Sequence, residues 1–412
     1  MRNRENLIVG LDIGTTKICA LAAEATGGEP LSVVGFGQAR SLGISKGVVV
    51  DIEKTVRSIQ DAVRECELMS GTPIKEVFAG IAGHHIQGLN SDGMVMVQNN
   101  RTVSEDDIRR VILAAQAISI PSDREVLHIL PRDFIVDDQD GVKNPLGMMG
   151  IRLEVKVHIV TCSAPSGQNI VKCCQMAGLD VADVVLEPLA SAQAVLSQDE
   201  RELGVVLVDI GGGTTDIAIY AGGSIVHTSV LAVGGNHLTN DIAIGLSTPL
   251  GEAQSLKHEH GVAMTTLVEE DEMMTVPSVG GRKSRTMDKR VIAEIIQPRF
   301  REIYDLVNRE IDRSGYRNFI ASGVVITGGS SLMPGADDLA SEILHFPVRV
   351  GFPENITGLN EMIYSPMHAT GVGLLRYAQG NGADRHGPLF TGEQGLISRF
   401  SNRMRQWAND FF

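Results

Sequence analysis

Residues 7–17 read LIVGLDIGTTK, and residues 205–216, about half the chain away, read VVLVDIGGGTTD. Each segment is an apolar run ending in Asp-Ile-Gly, followed by small and hydroxyl residues and then a second apolar stretch. An apolar run of this length before glycine is a buried strand. The glycines turn the chain tightly and bring bare amide N–H groups close to a ligand. An aspartate at a strand end cannot favour a phosphate directly, but it can hold Mg²⁺ through water. Two such loops, one in each half, would clasp a nucleotide's phosphates from opposite sides. A single DIG is most often an ordinary turn. DIGGGTTD after a buried strand is far more specific, and the pair is more specific still.

The elements that must carry these loops follow from periodicity. Residues 7–21 read as a hairpin bent around Gly14. A helix follows Asp51, its N-cap, with Ile52, Val56, Ile59 and Val63 on one face. Residues 77–82 read as a strand, 184–196 (VVLEPLASAQAVL) as a strand end entering a small-residue helix, 324–335 (VVITGGSSLMPG) as a strand followed by glycines, and 369–375 (ATGVGLL) as a further small-residue helix. Residues 84–162 read as a separate, small α/β insertion. It has a strand-like 93–98 and a helix capped by Ser104, with acids in the first turn and Ile108, Val111, Ile112 and Ala115 inward. Strand-like stretches return at 125–130 and 152–160. In the latter, Leu153, Val155, Val157 and Ile159 alternate with Arg152, Glu154, Lys156 and His158, so one face is expected to be covered and one wet. Residues 288–314 read as a helix bent at Pro298, with Ile292, Ile295, Ile303, Val307 and Ile311 inward.

The bulk composition narrows the class. The 412 residues suggest two to four compact units, and a hydrophobic content of 43% with 4% aromatics implies aliphatic cores. A net charge of −14 argues against nucleic acid as a partner. The N-terminus reaches Asp12 too soon for a signal peptide, and no run approaches a transmembrane length. Cys19, Cys66, Cys162, Cys173 and Cys174 lack CxxC spacing and read as free thiols, the adjacent pair as packing. His84-His85 and His258/His260 lack further ligands at metal spacing.

Residues 379–395 are rich in glycine, polar and charged residues and read as a flexible linker. Beyond it, Leu396, Phe400, Met404, Trp407 and Phe411 repeat at helical spacing, with Ile397 and Phe412 beside them. Arg399, Arg403 and Arg405 lie off that stripe. A basic amphipathic helix on an acidic chain suits an anionic membrane surface. Docking on the chain's own body would not need so long a polar linker, and a groove in a partner protein is the other alternative.

The ordered set DIGTTK, VVLEPLASA, VDIGGGTTD, VITGGSSLMPG and ATGVGLL resembles the five-motif signature of the ATPase superfamily of actin, the heat-shock chaperone DnaK and the sugar kinases. The resemblance spans most of residues 7–376. Within it the chain resembles the bacterial FtsA family. The insertion follows the 77–82 strand, where that family carries its own subdomain, and GVKNPLGMMGIRLEVKVHIVT, ERELGVVLVDIGGGTTDIAIY and NITGL are similar over long stretches. The terminal helix on a linker is also similar.

The resemblance implies an α/β, actin-like two-lobed ATPase fold with a small α/β insertion. The expected boundaries are a first core over 1–83, 163–200 and 362–378, the insertion over 84–162, and a second core over 201–245 and 319–361. A further subdomain over 246–318, the linker over 379–395 and the helix over 396–412 complete the chain. It further implies ATP and Mg²⁺. By position, Asp12 and Asp209 resemble the Mg²⁺-water-holding aspartates, and Gly14, Thr15, Thr16 and Lys17 the first phosphate loop. Gly211, Gly212, Gly213, Thr214 and Thr215 resemble the second. Glu187 resembles the glutamate that positions the attacking water, and Gly328, Gly329 and Ser330 the adenosine turn. Lys257 sits where a lysine lies near the adenine. Gln254 stands where many relatives carry a ribose-binding glutamate; it is a weaker, neutral acceptor.

Functionally, the resemblance implies a slow ATPase at most. It implies an actin-like filament former at the septum, peripheral on the cytoplasmic face of the inner membrane, that tethers FtsZ and recruits later division proteins through the insertion. The FtsZ C-terminal tail is expected in the 246–318 section, where Arg290, Arg299, Arg301 and Arg309 lie on a helix of mixed charge. A sugar kinase would share the nucleotide core but has no use for a lipid-seeking tail. A DnaK-type chaperone would need a substrate domain that the residues after 376 are too few to build. The pilus-assembly relative of FtsA, a cytoplasmic platform protein, is the nearest rival.

Overall fold

The computed structural model describes residues 7–24, 30–98 and 101–380. Two sheets of matching design form its two lobes. In the first the order is Asp180–Leu186, Glu76–Ile81, Leu7–Ile13, Lys17–Glu24, Leu31–Arg40, Ile356–Gly358. In the second it is Ser224–Leu231, Thr215–Ala221, Val205–Ile210, Val324–Thr327, Val348–Val350. Each contains an antiparallel three-strand meander whose first strand pairs in parallel with a later strand.

The likeness extends to register. Asp12 opposes Cys19 and Ile13 opposes Ile18; Asp209 opposes Asp216 and Ile210 opposes Thr215. Both hairpins therefore turn through four residues, 14–17 and 211–214. All six residues of Val205–Ile210 are buried, which explains why this strand reads as a continuous apolar run rather than an alternating one. Helices Glu187–Val195 and Ala369–Gly380 pack on each other beside the first sheet. Their runs of alanine and glycine allow that approach: a Cβ on Gly373 would collide with the Ala190 carbonyl.

Local signals decide where elements begin. The Asp51 carboxylate accepts the Lys54 N–H and caps helix Ile52–Ser70, which ends on left-handed Gly71. Ser104 and Asp107 form a capping box on helix Glu105–Ala115. That helix buries Ile108, Val111, Ile112 and Ala115 against an antiparallel four-stranded sheet ordered Gln87–Met96, Arg152–Ser163, Arg124–Val136, Gln139–Val142. The five cysteines are free and buried.

Several expectations need correction. His158 is buried, not wet. Its Nδ1 lies 2.7 Å from Asn90 Oδ1 and its Nε2 2.9 Å from Thr228 Oγ1, because the Ser224–Leu231 strand of the other lobe covers that end of the insertion sheet. The helix expected from 288 starts at Arg290, since Arg285–Asp288 pairs as a strand with Met273–Val276. It continues through Pro298 as one helix to Ser314, and Ile295 is only half-buried. Strand Ile356–Gly358 pairs with Leu31–Arg40, so the chain rejoins the first sheet before the boundary expected at 361/362. Helix Ala369–Gly380 runs into the first two residues of the expected linker. The rest of the linker and the amphipathic segment (Leu396, Ile397, Phe400, Met404, Trp407, Phe411 and Phe412) lie outside the described residues. Among the described residues no helix is long and apolar enough to cross a membrane.

Candidate functional site

The two four-residue loops meet face to face. A Cβ on Gly212 would collide with Thr16 Oγ1, and one on Gly213 would crowd Thr15 Oγ1, so only glycine permits this approach. The Thr16 hydroxyl donates to Asn236 Oδ1 across the gap at 3.4 Å. One cleft is lined by Asp12, Gly14, Thr15, Thr16 and Lys17 from the first hairpin and by Asp209, Gly211, Gly212, Gly213 and Thr214 from the second. Glu187, Gln254, Lys257, Gly328, Gly329 and Ser330 line it too. Thr215 does not. It is the first residue of its strand, fully buried, and its hydroxyl donates to the Val233 carbonyl at 2.8 Å.

Side chains alternate along a strand, so the next residue, Asp216, faces the cleft instead. It sits opposite Asp209 in the ladder. Its Oδ2 accepts from Thr214 Oγ1 at 3.1 Å, while its buried Oδ1 has no hydrogen-bond partner among the described residues. With Asp12, Asp209 and Glu187 it forms a group of four carboxyls around one ammonium, Lys17, whose Nζ lies 3.7 Å from Asp12 Oδ2.

Burial raises the Asp12 carboxyl, with Lys17 opposing. Burial, with the Asp12 charge adding to it, pushes Asp209 up to about 6; hydrogen bonds from Ser191 (2.7 Å) and Thr370 (3.4 Å) pull the other way. Glu187 is raised well above the usual carboxylate range by burial, then by Asp12, Asp216 and Asp209. Asp216 is raised by burial and then by Asp209. These four groups cannot all ionise in a desolvated space with one cation. A dication in the cleft would remove the conflict. No three acidic, His or Cys groups among the described residues converge enough to ligate a metal directly. The carboxyl set, with its surplus of negative charge, fits Mg²⁺ held through its waters.

Farther along the cleft, Gly328 has φ 85° and lies so close to Asp209 Oδ1 that a Cβ would collide with it. Lys257 Nζ donates to the Gly235 carbonyl at 3.1 Å, and burial brings its ammonium down to about 8. Gln254 is exposed at the rim. Leu332, Met333, Pro334 and Met367 make this end apolar. The arrangement suits a polyanion with an apolar, flat group at one end. Sequence reasoning missed Asp216, Ser191 and Asn236. Ser191 was legible as the residue one helical turn after Glu187; Met333 and Met367 carry no signal of their own.

The arginines of helix Arg290–Ser314 are not equivalent. Arg299 binds Asp241 through both Nε (2.6 Å) and Nη2 (3.1 Å) and also meets Glu302. Arg301 pairs with Glu342 at 3.0 Å across exposed surface. Arg290 and Arg309 are exposed.

Comparison with known proteins gives concordant matches. The family model for cell division protein FtsA matches residues 206–373, that for the SHS2 domain inserted in FtsA matches 83–161, and an Hsp70 model matches 165–238. A cell division protein FtsA from Pseudomonas aeruginosa is 51% identical over 371 residues, 90% of this chain and 89% of the relative. One from Neisseria meningitidis is 41% identical over all of both chains, and one from Escherichia coli K12 is 38% identical over 98% of each. Among solved structures, a PilM–PilN type IV pilus biogenesis complex aligns with TM-score 0.64 at 17% identity over 91% of this chain and 98% of that one. The ADP-bound MreB5 of Spiroplasma citri aligns with TM-score 0.55 at 15% identity over 91% and 97%. The fold is actin-like.

Proposed function

The chain belongs to the FtsA family of cell division proteins, and from that premise we propose that it is an ATP- and Mg²⁺-binding, filament-forming adaptor. In this reading it tethers the FtsZ ring to the cytoplasmic face of the bacterial inner membrane at the septum. Later division proteins join through the insertion. The observation that carries the nucleotide part is the meeting of two hairpin loops of identical register around four carboxyls and one lysine.

Placement in the cleft supports the following roles. Asp12 and Asp209 hold Mg²⁺ through water, with Asp216 in support. Lys17, the loop amides and the hydroxyls of Thr15, Thr16 and Thr214 take the phosphates. Gly328, Gly329 and Ser330 cradle the nucleoside with Lys257 and Gln254. Bound Mg²⁺ supplies charge neutralisation among phosphates and carboxyls. Glu187, raised well above the usual carboxylate range by burial and then by Asp12, Asp216 and Asp209, would orient water in its ionised form. This agrees with nucleotide used as a lock and cleaved slowly at most.

For the FtsZ tail, Arg290 and Arg309 are the exposed candidates and Arg301 is an exposed one that must leave Glu342, whereas Arg299 is held by Asp241 through two nitrogens. The segment 396–412 supplies the membrane contact. The likeness to PilM favours a pilus platform as the second reading, and a pull-down with FtsZ's C-terminal tail separates the two. The nucleotide reading is tested by titrating Mg·ATP into the Asp209→Ala chain. Loss of Mg²⁺-dependent binding is expected, and affinity equal to the parent's would remove Asp209 from the site.

A further inference from the structure

His368 lies in the turn Pro366–His368, just before helix Ala369–Gly380, and is 4% exposed. Its ring stands edge-on to Phe36, centroids 5.2 Å apart at 87°. Nδ1 is 3.3 Å from Lys17 Nζ and 3.9 Å from Cys19 Sγ. The turn itself is anchored: the Gly328 N–H donates to the Pro366 carbonyl at 3.2 Å, and Thr370 at its far end reaches Asp209. Lys17 Nζ therefore has both the Asp12 carboxylate and a buried imidazole beside it.

An ammonium has three N–H donors and no acceptor. Burial first, and then the Lys17 charge, brings His368 down to about 3, so the ring is neutral at cellular pH. A neutral acceptor orients the lysine without cancelling its charge; a second carboxylate at this position would have formed a closed ion pair. We propose that His368 is a positioning residue that accepts a Lys17 proton at Nδ1 and so aims the remaining charge and donor of Lys17 at the phosphates of a bound nucleotide. Its contribution scales with the ligand's phosphate charge and is absent for the nucleoside. This rests on the reading of the cleft as a nucleotide site.

The test compares Mg·ATP and adenosine binding by calorimetry for the parent, His368→Leu, His368→Asn and Lys17→Ala chains. His368→Leu should weaken Mg·ATP roughly tenfold, the loss of one charge-assisted hydrogen bond, and leave adenosine unchanged. His368→Asn, whose Oδ1 can occupy the place of Nδ1, should recover most of that loss. Lys17→Ala with His368→Leu should be no weaker than Lys17→Ala alone. Should His368→Leu fail to fold, ¹⁵N spectra of the parent decide: Nδ1 is expected unprotonated, and a protonated Nδ1 overturns the proposal. Equal losses for ATP and adenosine, or no loss for ATP, also overturn it while leaving the nucleotide site standing. A parent that binds no nucleotide overturns the reading of the cleft itself.

Discussion

Asp209 shows how the site trades stability against binding. Its carboxyl titrates near 6 in the folded chain, above the ordinary value of 3.8. A raised folded pKa means that its contribution to stability is fully present below the ordinary value and is lost as pH rises through about 6. A dication offsets that loss. Mg·ATP should therefore raise the melting temperature more at pH 8 than at pH 5, measured by differential scanning fluorimetry; an equal shift at both would contradict the electrostatic account. Thr215 supplies the contrast within the same motif. Thr215→Val should cost about 1–3 kcal/mol by leaving the Val233 carbonyl unpaired, with Mg·ATP affinity unchanged. An urea melt and a calorimetric titration check both halves. The motif DIGGGTTD revealed the loop but not its end. Which of Thr215 and Asp216 faces the ligand depends on where the strand resumes, and in a strand a shift of one residue reverses the face.

Secondary elements were legible where one local signal dominates: Asp51 and Ser104 as caps, the DIG runs as buried strands, the alanine-glycine stretches as small-residue helices. They were illegible where a distant segment decides. His158 continues a clean alternation yet is buried, because Thr228 and Asn90 meet its two ring nitrogens. Burial, then the charges of His227 and Arg132, lowers its pKa to about 3. A depressed folded pKa means that its stability contribution is present above 6.5 and is lost as pH falls toward 3. His158→Leu should leave Asn90 and Thr228 without this partner and destabilise by about 1–3 kcal/mol, read by urea melts at pH 7. An unchanged midpoint would show that the seam between insertion and second lobe contributes nothing there.

At the scale of the whole molecule, that seam joins the insertion to the second lobe by several contacts. Lys143 Nζ donates to the Gly222 carbonyl at 2.6 Å, Ser224 Oγ to the Arg132 carbonyl at 3.2 Å, and Asn90 Nδ2 to the Val226 carbonyl at 3.2 Å. The two lobes thus touch both at the cleft and through the insertion, a long-range arrangement no sequence pattern announces. On the proposed reading, attachment to membrane is a matter of number as well as contact. The apolar stripe of one 396–412 segment is worth on the order of several kcal/mol, each arginine near anionic lipid adds roughly 1 kcal/mol, and ordering the segment offsets part of both. One chain should bind reversibly, and the proposed filament far more tightly, because each further 396–412 segment would bind at high effective concentration. Trp407→Glu should release the chain from anionic vesicles while Mg·ATP binding stays intact; a variant that still co-sediments like the parent would return the tail to a docked role. The proposed tether as a whole is tested by sedimenting anionic vesicles with Mg·ATP and a labelled FtsZ C-terminal peptide. With the parent chain the peptide should pellet with the vesicles, and with Trp407→Glu it should stay in solution. A peptide left in the supernatant beside vesicle-bound parent chain would contradict the account.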